Sequence, residues 1–489
     1  MTTQLSAAVD ALGVRRMTTD SRQVRAGDTF VAYPGESRDG RLFIPQAIAQ
    51  GAASVLWEST AFQWHRGWRV RHLPVRGLRE KASVIAAHVA GRPSSRLWTI
   101  GVTGTNGKTS CSQWIARALH DSGRACVVAG TLGNGFPDSL EAGVNTTPDA
   151  VWLQQKLRDW SREGARAVAM EVSSHGLAQG RVAGVEFDVA LFTNLTRDHL
   201  DYHRTMDRYR AAKARLFAWD SLKWSVLNLD DACGRRFASA RPRSGLRVLG
   251  YGFESTQAPR HVESVRGKNL RVTLAGVAFT AQTPWGEARV SSELLGQFNA
   301  QNLLGTLSVL LASGMDLQQA VRAVSMLRPV AGRSERLGGG RLPLVVVDYA
   351  HTPDALHKML IALRDLKPRK LICVFGCGGD RDRGKRPLMG RIAARHADSV
   401  VVTSDNPRNE APRAIIADIV AGAGQGCEVI EDRTQAVHAA VSVARRGDIV
   451  LVAGKGHEPY QEIRGVRLPF SDVKVVRSAL ARRARSIAS

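Results

Sequence analysis

Nine consecutive residues, Gly101-Val102-Thr103-Gly104-Thr105-Asn106-Gly107-Lys108-Thr109, have the types and spacing to grip a nucleotide phosphate. They join an apolar run that predicts a strand, Leu97 to Val102, to an apolar-periodic run that predicts a helix, Thr109 to Ser122. A phosphate loop requires that context. Glycine lets the backbone curl until its N–H groups point at phosphate oxygens, and the helix N-terminus adds partial positive charge. Lys108 is placed to pair with the β- and γ-phosphates, and the Thr109 hydroxyl to ligate Mg²⁺. A glycine-rich turn with a chance Lys-Thr is the bland alternative; the fall of Gly-Lys-Thr at the strand-to-helix joint argues against it. Residue 102 is Val, where the ordinary Gly-x₄-Gly-Lys-Thr spacing needs Gly, so the loop is a shortened variant.

Three polar clusters follow: Asn145-Thr146-Thr147-Pro148, then Glu171-Val172-Ser173-Ser174-His175-Gly176, then the run from Asn194 through His199 to His203. Glu171 ends an apolar strand, where an α/β enzyme places a metal carboxylate. His199 follows the next strand. A carboxylate and an imidazole facing a phosphate loop make a Mg²⁺ shell. Taken alone His199 suits a structural role better; its neighbours point to a site.

The elements that must position these residues read as three α/β units, at residues 1–92, 93–330 and 331–489. The first carries a strand at Thr29 to Ala32, a helix from Ile44 towards Gly51 and a strand at Ala53 to Trp57, and ends in the breaker-rich Gly91-Arg92-Pro93. The second adds strands at Ala167 to Glu171, Val189 to Thr193 and Ser225 to Leu229, so strand and helix alternate and a parallel sheet is expected. Residues about 245–290 carry short strand signals without a helix, a small β-rich annex. The third starts after Pro329-Val330-Ala331-Gly332 and repeats the rhythm: strands at Leu344 to Val347, Lys370 to Phe375, Ser399 to Thr403 and Ile449 to Val452, helices at Asp354 to Asp365 and Arg386 to Ala397, a Rossmann-like unit.

Bulk properties narrow the class. The 489 residues are 44% hydrophobic and 23% charged, ordinary for a chain that buries full cores. No apolar run approaches the roughly 20 residues of a membrane span, and Met1 to Asp10 has no basic-then-apolar signal. Six scattered cysteines without a Cys-x-x-Cys pair suit free thiols in a reducing cytoplasm. The net charge of +24 admits nucleic-acid binding. The basic residues are spread rather than gathered with aromatics, which favours a solvated surface or sites for phosphate-bearing substrates.

With these motifs in order, the chain resembles the Mur ligase family, which also contains the folylpolyglutamate synthetases. The resemblance runs over essentially the whole chain. It implies an ATP-dependent amide ligase working through an acyl phosphate. It makes Gly104, Thr105, Asn106, Gly107, Lys108, Thr109 and Ser110 the ATP loop, and Glu171 and His199 Mg²⁺ ligands. It makes Lys213, otherwise an ordinary helix lysine, the residue that CO₂ converts to a carbamate holding a second Mg²⁺. Asn299 and Asn302 match asparagines that meet adenine, Arg333 a phosphate contact, and Asp348 the residue that holds the ribose. Arg333 lies in Gly332-Arg333-Ser334-Glu335, where the family's third residue is hydrophobic.

Finer features bear on substrates. Asp405-Asn406-Pro407-Arg408 resembles the segment of the family member that adds meso-diaminopimelate, with Arg381, Gly454 and Glu458 completing the pocket and Glu458 facing the distal ammonium. By itself Asp-Asn-Pro-Arg suits an Asx-Pro turn. Arginine grips a carboxylate by two prongs; lysine, the rival substrate, lacks the distal carboxylate and would leave that charge unpaired. Thr19 and Ser21, with the region of Glu36, Ser37 and Arg38, resemble a uridine-diphosphate site. Asn145, Thr146, Thr147, Ser173, Gln179 and Arg181 match positions that hold the muramyl peptide. A folylpolyglutamate synthetase would lack both the first unit and the Asp-Asn-Pro-Arg segment. A cytoplasmic monomer without nucleic-acid or membrane partners is expected.

Overall fold

The computed structural model describes residues 1–36, 38–254 and 258–488, the last three by backbone alone. Three large sheets and one two-stranded hairpin, Tyr460–Ile463 with Val466–Pro469, are formed among the described residues. The first has four parallel strands in chain order, Met17–Thr18, Thr29–Ala32, Ser54–Glu58 and Arg71–Val75. Val31, Leu56 and Val75 pack on the helix Leu78–Val89.

The second sheet has eleven strands. At its centre Trp98–Thr103 lies between Ala167–Glu171 and Val189–Phe192, all parallel. These strands are buried along almost their whole length, as a parallel sheet covered on both faces requires. Alternate side chains go to opposite layers: Ile100, Val102 and Ala169 meet the helices Lys108–Asp121 and Gln297–Ala312, and Val168, Met170 and Ala190 meet Leu153 and Leu157 of Ala150–Arg162. The β-rich stretch near 245–290 is joined to this sheet as its edge. Arg247–Gly252 and Val262–Thr273 continue the parallel pairing, and Gly276–Thr283 and Gly286–Ser292 close it antiparallel.

The third sheet runs Glu335–Gly338, Leu344–Asp348, Ile449–Ala453, Leu371–Phe375, Ser399–Val402, Glu428–Val429, parallel except for the first strand. Its wound order places the loops after Leu371–Phe375, Ser399–Val402 and Ile449–Ala453 side by side at one crest. In the second sheet the chain winds one way from Trp98–Thr103 through Cys126–Gly130 and the other way from Val189–Phe192 through Trp224–Asn228. The crevice where such directions part, at the carboxyl ends of the strands, is where α/β sheets bind ligands. The loop after Thr103 opens there.

Candidate active site

Gly104 to Gly107 curl over that crevice because two glycines are forced. Gly104 has φ +154°, and a β-carbon there would fall 1.9 Å from Thr193 Oγ1. Gly107 has φ +85°, and a β-carbon would meet Asn302 Oδ1 at 2.6 Å. The neighbouring strand's exit braces the loop: Thr193 Oγ1 donates to the Asn106 carbonyl at 2.6 Å, Asn194 Nδ2 donates to the same carbonyl, and the Asn106 amide donates to Asn194 Oδ1. Lys108 folds back to donate to the carbonyls of Gly104 and Thr105 at 3.0 and 2.8 Å. Burial pushes its ammonium below the ordinary lysine range, while Glu171 and Asp198 pull it back. Thr109 Oγ1 donates to Glu171 Oε2 at 2.9 Å, and Glu171 Oε1 accepts from the Thr131 amide. Gly130 leaves room for that carboxylate; a β-carbon would lie 2.4 Å from Oε1.

On the loop's other side, Lys213 is buried and donates to the Gly104 carbonyl at 2.6 Å. Burial, with Lys108 adding repulsion, holds its ammonium well below the usual range. His199 takes a left-handed backbone, φ +54°, which only a surrounding structure sustains. Burial pushes its imidazole down too, against the pull of Asp198. Asp198 was not singled out by the sequence. It is buried, 3.3 Å from His199 Nε2 and 3.8 Å from His351 Nε2. Burial opposes its charge, yet His199, His351 and Lys385 hold its carboxyl well below the usual range. His351 and Lys385 lie more than 150 residues away, so no local pattern marks Asp198. Among the described residues no three His, Cys, Asp or Glu side chains form a ready-made metal cage. The donors around the loop are a hydroxyl and one carboxylate, which suit a hard cation that keeps phosphate oxygens and water in its shell.

A cleft runs from the loop to the third sheet. It is lined by Asn106, Gly107, Ser110, Asn299, Asn302, Arg333 and Asp348, and also by Asn194, Asn228, Phe298, Gln301, Tyr349 and Lys358. Asn299 Nδ2 donates to the Leu295 carbonyl, in the segment that leads into its helix. Arg333 lies over the Tyr349 ring at 4.3 Å and donates to Thr109 Oγ1 at 3.1 Å, so the third unit reaches the phosphate loop. Its Nε is buried without a partner. Ser334, φ +51°, has a reason to be small and polar: its amide and hydroxyl both donate to Asp348 Oδ2. Burial pushes the Asp348 carboxyl up, against Arg333 and Ser334.

The expected peptide-binding residues meet beside Glu171. Thr147 Oγ1 donates to the Glu171 carbonyl and bonds Ser173 Oγ at 3.0 Å. Arg181 donates to the Thr147 carbonyl and to Gln179 Oε1. Thr146 bonds Thr131, and Asn145 is exposed. From the first unit, Glu36 reaches this group, accepting from Arg79, Gln179 and Tyr202. Ser21 is buried and donates to Gln46, so its hydroxyl is already engaged; Thr19 is half-buried. Ser37 lies outside the described residues, and Arg38 is exposed.

The third crest assembles the remaining set. Arg408, φ +51°, donates to the Gly379 carbonyl at 2.7 Å and stands 3.7 Å from Glu462. Arg381 is exposed. Both arginines flank Gly378, where a β-carbon would lie 2.8 Å from Arg408 Nη1 and 3.8 Å from Arg381 Cγ. Asn406 Nδ2 donates to Glu458 Oε2 at 2.7 Å. Asp405 lies behind, against Gly454, whose β-carbon would fall 2.5 Å from Oδ2. Pro407 anchors the far side, its carbonyl 2.0 Å from a β-carbon at Gly379.

Three family models match the chain: "Mur ligase family, catalytic domain" over residues 13–89, "Mur ligase middle domain" over 102–310, and "Mur ligase, glutamate ligase domain" over 332–456. A UDP-N-acetylmuramoyl-L-alanyl-D-glutamate–2,6-diaminopimelate ligase of Chromobacterium violaceum is 51% identical, covering 96% of this chain and 94% of its own. The protein of that name from Pseudomonas aeruginosa is 50% identical, covering 96% and 95%. A solved structure with the same name is 40% identical, with a TM-score of 0.67 over 96% of this chain and 95% of that one.

Proposed function

This chain belongs to the Mur ligase family, and we propose that it joins meso-diaminopimelate to UDP-N-acetylmuramoyl-L-alanyl-D-glutamate with ATP, as a step of peptidoglycan synthesis. The observation that carries this is Arg333, which reaches from the third unit to donate to Thr109 Oγ1 of the phosphate loop across a shared cleft, while the Asp-Asn-Pro-Arg turn stands at the third sheet's crest.

In the first step an oxygen of the D-glutamate γ-carboxylate bonds to the γ-phosphorus of ATP and the bond to ADP breaks, giving an acyl phosphate. The amine of diaminopimelate then attacks the acyl carbon. The tetrahedral adduct loses a proton from nitrogen and expels phosphate. Lys108, the loop amides and Arg333 stabilise the charge that spreads over the transferring phosphoryl group. Arg333 also helps close the cleft against water, which would otherwise hydrolyse the acyl phosphate.

Thr109, Glu171, His199 and Lys213 as its carbamate are the proposed holders of two Mg²⁺ ions. Bound there, the ions neutralise phosphoryl charge. Lys213 fits the modification because CO₂ adds to a neutral amine, and burial beside Lys108 favours that form. Asn299, Asn302 and Asp348 hold the nucleoside of ATP. Thr19 and Ser21 serve the uridine nucleotide, and Asn145, Thr146, Thr147, Ser173, Gln179 and Arg181 the muramyl dipeptide. Arg381, Arg408, Asp405, Asn406, Pro407, Gly454 and Glu458 take the amino acid. Residues 1–92, 93–330 and 331–489 are then the proposed uridine-nucleotide, ATP and amino-acid domains, with Arg333 and Asp348 of the third reaching the ATP site. No helix among the described residues is long and apolar enough to cross a membrane, and a monomer acting in the cytoplasm completes the proposal.

The test is isotopic. With the D-glutamate γ-carboxylate labelled with ¹⁸O, one labelled oxygen should appear in the phosphate released per turnover. Phosphate free of label would reject the acyl phosphate.

A further inference from the structure

Behind the Asp405-to-Arg408 turn the structure builds a closed polar cluster around a lysine. Lys455 is wholly buried, and its Nζ donates to Asn406 Oδ1 at 2.9 Å and to Glu458 Oε2 at 3.0 Å. Asn406 Oδ1 also accepts the Glu462 amide at 2.9 Å. The orientation of the Asn406 amide is therefore fixed, and its Nδ2 must donate to Glu458 Oε2. Two donors thus hold Glu458 Oε2, and Oε1 has no hydrogen-bond partner among the described residues. Glu458 is also the member that keeps contact with solvent, its side chain 16% exposed against 0% for Lys455.

Deeper in, Arg433 forms a two-pronged pair with Asp472, both contacts at 2.8 Å, and ties together the carbonyls of Ser404 and Ala453 at the roots of the two pocket loops. Asp405 is buried between Arg433 and Lys455 and feels both charges. Two buried cations therefore face three carboxylates, Asp405, Glu458 and Asp472. Burial and then Asp405 push the Glu458 carboxyl above its ordinary range, with Lys455 opposing. An uncompensated buried carboxylate is costly, and a cation placed against it recovers that cost.

On the reading that this pocket takes an amino acid, we propose that Lys455 is a positioning residue for selecting substrates with a second amine: with Asn406 it fixes Glu458 Oε2, so that Oε1 is presented to the substrate's distal ammonium as the cluster's missing cation. A neutral side chain at 455 would leave Glu458 beside Asp405 without its counter-charge. Glu458 would then favour its protonated form and lose its fixed direction.

The test compares kcat/KM for meso-diaminopimelate with kcat/KM for 2-aminopimelate, which keeps the carbon chain and both carboxylates but lacks the distal amine. Glu458→Gln examines the underlying pocket assignment. If its ratio stays at the wild-type value, Glu458 does not meet the ammonium and that assignment fails with the proposal. If the ratio falls, Lys455→Met should lower it by at least about tenfold, with KM for ATP within about twofold of wild type. Lys455→Met/Glu458→Gln should fall no lower than Glu458→Gln alone, because the lysine acts through the glutamate. An unchanged ratio in Lys455→Met, additive losses in the double variant, or an equal loss towards ATP would overturn the role of Lys455. Should Lys455→Met not fold, Asn406→Ser removes the second tie on Oε2 and keeps the cation. It is expected to lower the ratio by about threefold, and a wild-type ratio there would overturn the proposal.

Discussion

Lys108→Ala removes an ammonium that burial already disfavours, so folding should lose little while, on the proposed mechanism, the chemistry loses a charge that stabilises the phosphoryl group. Amino-acid-dependent phosphate release is expected to fall by about 10³-fold or more, with the thermal midpoint within a few degrees of wild type; surviving turnover would reject the loop assignment. Arg408→Ala should raise KM for diaminopimelate by at least about tenfold and leave KM for ATP nearly unchanged; equal effects would remove Arg408 from the pocket. At this scale the sequence was uneven. Gly104 and Gly107 were legible because a turn of that curvature admits little else. Lys213 was visible only by resemblance, since its burial and its bond to Gly104 come from the tertiary fold. Asp198 and the partner role of Lys455 were missed, because each is defined by residues that approach from other elements.

Strands and helices were more readable than contacts. Runs such as Ala167 to Met170 and Leu371–Phe375 are apolar throughout, and a fully buried parallel strand needs that. The pairing of the 245–290 stretch with the central sheet could not be read, because edge pairing is decided by neighbours far along the chain. The loops after the third sheet's strands depend on a buried guanidinium. Arg386 bonds Glu410 and Asp418 and the Gly378 carbonyl, and Glu410 accepts the Asp380 amide, which fixes the turn carrying Arg381. The hydrogen bonds from Arg386 hold both carboxyls below their ordinary 4.5 and 3.8. Depressed folded values mean stability that is complete above the ordinary range and is lost as pH falls through the lower folded values. Thermal midpoints followed from pH 7 down to about 3 should therefore drop more in wild type than in Arg386→Met, which has already lost these bonds. Parallel curves would show that the network adds no pH-dependent stability.

The molecule works by bringing three sheets' loops together. Arg333 with Thr109 and Asn106 with Asp354 at 3.0 Å tie the third unit onto the phosphate loop, and Arg197 with Asp382 at 3.0 Å ties it onto the segment after the strand Val189–Phe192. Arg333→Ala should lower kcat by about 10²–10³-fold while KM for ATP moves much less, since its proposed role is to stabilise the transferring phosphoryl group. A loss confined to KM would make it a simple binding residue. In the proposed function, part of the positive charge that first admitted nucleic acid lines sites for a nucleotide and for carboxylates. The most direct measurement is phosphate release by the pure protein with ATP, Mg²⁺ and UDP-N-acetylmuramoyl-L-alanyl-D-glutamate, with meso-diaminopimelate, L-lysine or glutamate added in turn. Release that depends on meso-diaminopimelate and is at least about tenfold weaker with the other two is the predicted result. Equal release with L-lysine, or release that ignores the amino acid altogether, would contradict the account.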